Sequence, residues 1–336
     1  MPRSVPELPL PLIRILATGG TIAGAQTPGT KRGYQAGVFS IESLVAAVPQ
    51  VESLARLEVE SVAKIGSQDM DESVWRKLAQ RAQAALDRPE ITGIVITHGT
   101  DTMEETGYFL TLVLRTDKPV VLVGAMRPAT AISPDGPMNL YNAVAVAADR
   151  AAAERSVVVV ANDEIHFARE VSKTNTTQVG TFRSTSRGLA GLVHSGKVHF
   201  YAKPVRRHTR ESSFSLGIDP FPQVDIIYAY AGMGAELIEA AVRAGARGLV
   251  IAGMGDGNLG AKALAAAADA VRAGVAIVRS SRTGGGFVER NGEIDDDRNG
   301  FIVADELNPQ KSRILLLLSI AQGLSAAQIQ ERFYAY

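Results

Sequence analysis

Residues 93–123, "GIVITHGTDTMEETGYFLTLVLRTDKPVVLV", decide the fold class. A β-branched run ends in a polar turn, a stretch with helical apolar spacing follows, and a second β-branched run begins just after a proline. Two strands joined through a helix run parallel, and strands apolar on both faces need cover on both sides.

The same rhythm extends in both directions, through "IRILAT" at 13–18, "PVVLVGAM" at 119–126 and "SVVVVAND" at 156–163. It lapses at 202–223, "AKPVRRHTRESSFSLGIDPFPQ", which is basic, Ser-rich and punctuated by proline. It resumes with "VDIIYAYA", "ELIEAAVRAGA", "GLVIAGM", "AKALAAAADAVRAG" and "VAIVRSS". The expectation is an α/β protein of two domains. A larger N-terminal catalytic domain, 1–201, has a mostly parallel sheet with helices on both faces; 202–223 is a linker; 224–336 is a smaller α/β domain.

Composition narrows the function. Lys+Arg and Asp+Glu stand at 35 each, so the chain lacks the long-range field of a nucleic-acid or anionic-membrane binder. A small-molecule partner is expected, with no nucleic acid and no membrane. With no cysteine, disulfides, thiolate metal sites and cysteine nucleophiles are excluded. The N-terminal "MPRSVPELPLPLIRIL" has no continuous apolar core, and no apolar run reaches the about 18 residues of a membrane span. A cytoplasmic location is the expectation.

In open α/β sheets the chemistry gathers beyond the carboxyl ends of the strands. The first strand ends in Thr18, Gly19, Gly20 and Thr21, ahead of a Gly- and Thr-rich stretch carrying Tyr34. A phosphate loop would need a lysine at P-loop spacing, which is missing. A mobile lid hinged on the glycines, bearing a hydroxyl nucleophile and a phenol, fits the residue types; a plain glycine turn accounts for the same letters.

At the next strand end Thr102 and Glu105 have the spacing of a capping box, which leaves Thr100 and Asp101 exposed to other work. Ser67 and Gln68, in "IGSQDM", end another strand and suit either a carboxylate contact or a helix cap. A threonine nucleophile needs a base, and no histidine completes a zinc or nucleophile-elbow motif. Lys173, among small polar residues in "REVSKTNTT", is a candidate whose amine burial would deprotonate. An ordinary surface lysine is the alternative.

Two literal motifs compete with this reading. Gly255, Gly257 and Gly260 have dinucleotide-loop spacing, but the acidic partner about 20 residues on is absent, and only Arg279 and Arg282 could suit an NADP phosphate. "DDDRNGFIVADE" carries Asp295, Asp297, Asn299, Gly300 and Glu306 at calcium-loop positions, without the flanking helices an EF-hand needs. A loop with chance acidic spacing is the reading preferred there.

Together "ILATGGTIAG", "IGSQDM", "VITHGTDTMEET", "PVVLVGAMRP", "DGPMNLYNAV", "KTNTT", "AGMGDGN", "RSSR" and "LNPQKSRILL" resemble, in order and over nearly the whole chain, the bacterial L-asparaginase family. The resemblance implies an amidohydrolase acting on L-asparagine, with some use of L-glutamine and no metal or organic cofactor. It implies Thr21 as nucleophile and Tyr34 as the phenol that polarises it. Thr100, Asp101 and Lys173 would form a second catalytic group, Lys173 lowering the proton affinity around Thr100. Ser67, Gln68 and Asp101 would hold the substrate's α-carboxylate and α-ammonium, and the backbone at Ala125 would contact the amide. Asn258 and Glu293 would complete a neighbouring subunit's site in a homotetramer built from two intimate dimers, which gives the glycine run and the acidic loop another purpose. Missing cysteines and Asp256, where related chains often have Asn, are departures from the family pattern.

Overall fold

The structure is a computed structural model that describes residues 9–26, 34–35, 37–217 and 219–336. Its contacts divide the chain into two compact units, one of 1–103, 114–183 and 189–204, the other of 104–113, 184–188 and 205–336.

In chain order the first unit contains β1 (Leu12–Gly19), β2 (Ala25–Gln26), β3 (Tyr34–Gln35), α1 (Ile41–Ala46), β4 (Arg56–Ile65), α2 (Glu72–Leu86) and β5 (Ile91–Thr97). The helix α3 (Met103–Val113) then passes almost entirely to the second unit. The first unit continues with β6 (Val120–Val123), α4 (Gly136–Ala148), β7 (Val157–Ala161), β8 (Glu164–Phe167), β9 (Val171–Lys173), β10 (Phe182–Ser184), β11 (Gly191–His194) and β12 (Lys197–Phe200).

Its eight-stranded sheet has the order β12-β11-β8-β7-β6-β5-β1-β4. The five strands from β7 to β4 run parallel, as the sequence rhythm predicts. β8, β11 and β12 add an antiparallel edge through two tight hairpins. Both turns place two consecutive residues at positive φ, Asn162 and Asp163 in one, Ser195 and Gly196 in the other, the geometry that matches strand twist. One face of the sheet buries Ile13, Ile15, Val95, Val121 and Val123 with α4 residues such as Leu140 and Val144, while α2 packs against β1, β4 and β5.

The chain goes from β1 to β4 on one side, then returns to place β5 on the other side of β1. The loops after β1 and β5 therefore diverge from neighbouring strand ends. That switch point is where an open sheet leaves a crevice for a ligand.

The second unit has a wholly parallel sheet, β13 (Val224–Tyr228), β14 (Gly248–Gly253), β15 (Ala276–Ser281) and β16 (Ile302–Val303), in sequential order. Between and after the strands come α5 (Glu236–Arg243), α6 (Ala261–Arg272), α7 (Asp296–Asn299), α8 (Pro309–Ala321) and α9 (Ala326–Ala335). The Ala-rich run forms α6, and its small side chains let it bury Ala263 and Ala267 against Ile251 and Ile277. α3 is tied into this unit by Glu104, which accepts hydrogen bonds from Asn308 Nδ2 at 2.7 Å and Lys311 Nζ at 3.1 Å.

Candidate active site

At the switch point one glycine pair sets the spacing. Gly19 and Gly20 have φ of 108° and 83°, a region that costs other residues strain. A Cβ on Gly20 would stand 2.4 Å from the Gly99 nitrogen, and one on Gly19 would stand 2.5 Å from the Ile65 carbonyl oxygen. Close approach of three strand ends, more than hinge freedom, is what requires glycine here.

Thr18 Oγ1 donates to the Thr97 carbonyl at 2.9 Å, which explains why the first threonine of the motif is structural. Thr21 opens a short 3-10 turn and is buried. The side chain of Tyr34 lies outside the described residues, although its backbone pairs as β3 with β2.

Ser67 knits the loop after β4 to the loop after β5. Its hydroxyl oxygen accepts the Asp101 N–H at 3.1 Å, and its carbonyl accepts the Thr102 hydroxyl at 2.7 Å. The cap of α2 is instead Asp71, whose Oδ1 accepts from the Val74 N–H at 2.9 Å. Ser67 is thus freed from the capping alternative, and Thr102 has a partner beyond its own helix. Gln68 is exposed beside Ser67.

Lys173 closes β9, a short ladder paired with β10 rather than a strand of the main sheet. From there Nζ donates to Thr100 Oγ1 at 2.8 Å and to Asp101 Oδ1 at 2.6 Å. The amine is mostly covered while the Asp101 side chain is 56% exposed, so one end of the ion pair is open to an incoming polar group. Thr100 itself is buried.

Ala125, at the end of β6, is also buried, and its neighbour Gly124 abuts the same threonine: a Cβ there would lie 3.2 Å from Thr100 Cγ2. Thr21, Ser67, Thr100, Asp101 and Ala125 therefore all belong to the carboxyl-end loops of the first unit, and Lys173 reaches in from β9, with Ser67, Thr100, Asp101 and Lys173 joined by hydrogen bonds.

Three residues were not signalled by the sequence. His98 is fully buried, its Nδ1 lies 2.7 Å from the Gly99 carbonyl, and burial pushes its pKa down to about 4, so the imidazole is neutral near pH 7. Asp135 and Asn139 hold the turn that bears Ala125. Only their place in the "DGPMNLYNAV" stretch could have pointed to them.

The other two candidates, Asn258 and Glu293, are in the second unit. Asn258 closes a tight turn by exchanging backbone hydrogen bonds with Met254 at 2.9 and 2.7 Å, and its Oδ1 is buried with no partner among the described residues. Glu293 is exposed.

Arg279 anchors both loops. It forms a buried two-point ion pair with Asp296, at 2.6 and 2.7 Å, and donates to the carbonyls of Asp256, Gly257 and Glu289. The dinucleotide-like glycine run is a closed turn, with the Asp256 and Gly257 carbonyls taken by Arg279 and that of Gly255 by the Ser281 hydroxyl. Of the calcium-loop residues, Asp295 caps α7, Asp297 pairs with Arg290 and Asn291, and Glu306 pairs with Arg187. Among the described residues no group of three His, Asp or Glu could hold a metal ion, and no helix is long and apolar enough to cross a membrane.

The chain resembles known proteins over nearly its whole length. Residues 12–206 match the family model described as "Asparaginase, N-terminal", and residues 223–333 match "Glutaminase/Asparaginase C-terminal domain". The chain is 48% identical over 330 residues to L-asparaginase 2 of Escherichia coli (strain K12), covering 98% of this chain and 94% of that one. It is 47% identical over 329 residues to L-asparaginase 2 of Bacillus subtilis (strain 168), covering 97% and 87%. To the glutaminase-asparaginase of Pseudomonas fluorescens biotype A it is 42% identical over 325 residues, covering 96% and 90%.

Proposed function

We propose that this chain, which belongs to the asparaginase family, hydrolyses the side-chain amide of L-asparagine to L-aspartate and ammonia through an acyl ester on Thr21. The observation that carries the reading is the double hydrogen bond of Lys173 Nζ, to Thr100 Oγ1 and Asp101 Oδ1, beside the strand end that bears Thr21.

A threonine hydroxyl is a weak nucleophile until its proton has somewhere to go. In this mechanism Thr21 Oγ1 attacks the carboxamide carbon, with the Tyr34 phenol polarising it. The tetrahedral oxyanion is met by backbone donors, the C–N bond breaks, and the nitrogen leaves as ammonia once it has taken up the nucleophile's proton. Water, oriented by Thr100 with Lys173 behind it, then adds to the ester and restores the Thr21 hydroxyl as aspartate departs.

Ser67, Gln68 and Asp101 hold the amino-acid end. Asp101 suits the α-ammonium because its carboxylate is the exposed end of the Lys173 pair, and Ser67 and Gln68 lie alongside it. Ala125 serves the amide end. No cofactor enters this chemistry.

Asn258 and Glu293 complete a neighbouring subunit's pocket in a homotetramer. Support comes from the unspent Asn258 Oδ1 and from the exposed Tyr228, Tyr230 and Phe287 of the second unit, apolar surface that a subunit contact would cover. Mixing an inactive Thr21→Ala chain with an inactive Glu293→Ala chain should restore ammonia release if pockets are shared, and should restore none if each chain works alone. The cytoplasmic compartment belongs to the same proposal and is read by fractionating the native host.

Relatives named glutaminase-asparaginase favour a second reading, comparable use of both amides. The "SQDM" stretch and the higher identity to relatives named L-asparaginase 2 favour asparagine. Comparing kcat/KM for the two amides tests this: a clear preference for L-asparagine supports the proposal, and equal values give the second reading.

A further inference from the structure

We propose that Asp135 and Asn139 are positioning residues that lock the turn at 124–127 so that the Ala125 carbonyl is held as an acceptor for the substrate's carboxamide N–H groups. The inference rests on the amidohydrolase reading above.

Asp135 occupies the N-cap position of α4, yet its side chain makes no cap hydrogen bond. Its two oxygens reach back to the loop after β6 instead, Oδ2 accepting from the Met126 N–H and Oδ1 from the Arg127 N–H, each at 2.9 Å. The helix N-terminus favours a negative charge at that spot, so the carboxylate is stabilised where it stands while serving the turn. One helical turn on, the buried Asn139 donates from Nδ2 to the Gly124 carbonyl at 3.0 Å and to Asp135 Oδ2 at 3.2 Å. Asn139 Oδ1 accepts the Asn162 N–H at 2.9 Å, which fixes the orientation of the amide.

The clamp thereby takes the Gly124 carbonyl and the amides of Met126 and Arg127, and passes over the residue between them. Among the described residues neither the N–H nor the carbonyl of Ala125 has a hydrogen-bond partner, although Ala125 is buried. Buried backbone groups are almost always paired, so this gap is where a ligand's polar group fits.

The surroundings name the ligand group. Gly136, at the start of the same helix, would bring a Cβ within 3.1 Å of Ile22 Cγ1 and 3.4 Å of the Ala125 Cβ, and the Ala129 N–H donates to the Gly24 carbonyl at 3.1 Å. The clamped turn thus abuts the Thr21 turn on one side and Thr100 on the other. A carboxamide under attack there has N–H groups that require an acceptor, whereas an ester's alkoxy oxygen has no hydrogen to give. Ala125 is therefore a determinant of amide over ester.

The test compares kcat/KM for L-asparagine and for L-aspartate β-methyl ester in the parent chain and in Asp135→Ala, Asp135→Asn and Asn139→Ala. Displacing a positioned group by about 1 Å costs about 100-fold, so Asp135→Ala should lose about that much on the amide and less than about 3-fold on the ester. Asp135→Asn, with one acceptor retained, should fall between. Melting curves establish which variants are folded; if Asp135→Ala is not, the ratio is read from the other two. An amide-to-ester ratio unchanged from the parent overturns the clamp, whether the two rates fall together or stay level. A parent that hydrolyses neither substrate overturns the amidohydrolase reading itself.

Discussion

Gly20 and Gly99 meet backbone to backbone at the switch point of the larger sheet: a Cβ on Gly20 would stand 2.4 Å from the Gly99 nitrogen and 2.5 Å from its Cα. Gly20 also has φ of 83°. Strain at such a φ and overpacking each cost about 1 to 3 kcal/mol, so Gly20→Ala should destabilise the fold by about 3 kcal/mol or more. Denaturant unfolding checks this, and activity should fall with it, because the Thr21 turn starts at the next residue.

Lys173 reaches both Thr100 and Asp101. Lys173→Met keeps the stem and removes the donor, and a positioned proton-transfer group contributes about 100- to 10,000-fold. Turnover of L-asparagine should fall into that range with little change in melting temperature, since the Asp101 partner is largely exposed and such pairs add little stability.

In the second unit, Arg279 and Asp296 are both buried, so removing one partner strands a charge. Arg279→Met or Asp296→Asn should each cost about 3 to 5 kcal/mol in denaturant unfolding. The double variant should recover part of that loss, because it leaves no lone buried charge.

His98 gives a pH dependence. Its folded pKa is pushed down to about 4, whereas the unfolded side chain titrates near 6.5. Between those values the unfolded state binds the extra proton, so stability rises with pH, is complete above about 6.5 and is lost as pH falls through about 4. The full span is worth about 3 kcal/mol, on the scale of 1.36 kcal/mol per pKa unit. His98→Asn, which cannot titrate, should flatten stability against pH over that window by about this amount; His166, shifted the same way by burial, keeps the remaining slope.

The parallel core and the residues at its strand ends were legible because they are local. A β-branched run, a polar turn and a helical spacing lie side by side in the chain, and Thr21, Thr100 and Asp101 fall where such a sheet puts its chemistry. Lys173 was legible as a residue but not as a partner of Thr100, since the two lie 73 positions apart. Distance in sequence hid the rest as well. The antiparallel edge depends on hairpins at 162–163 and 195–196 whose short strands carry weak periodicity. The passage of α3 into the second unit rests on Glu104 finding Asn308 and Lys311 some 200 residues away. Asp135 looks like an ordinary helix cap until its oxygens are seen to serve Met126 and Arg127.

The most direct test of the central claim is ammonia release from L-asparagine by the parent chain, by Thr21→Ala and by Lys173→Met, each verified as folded. The expected result is steady release by the parent and near-complete loss in both variants; undiminished turnover in the two variants, or none in the parent, would contradict it.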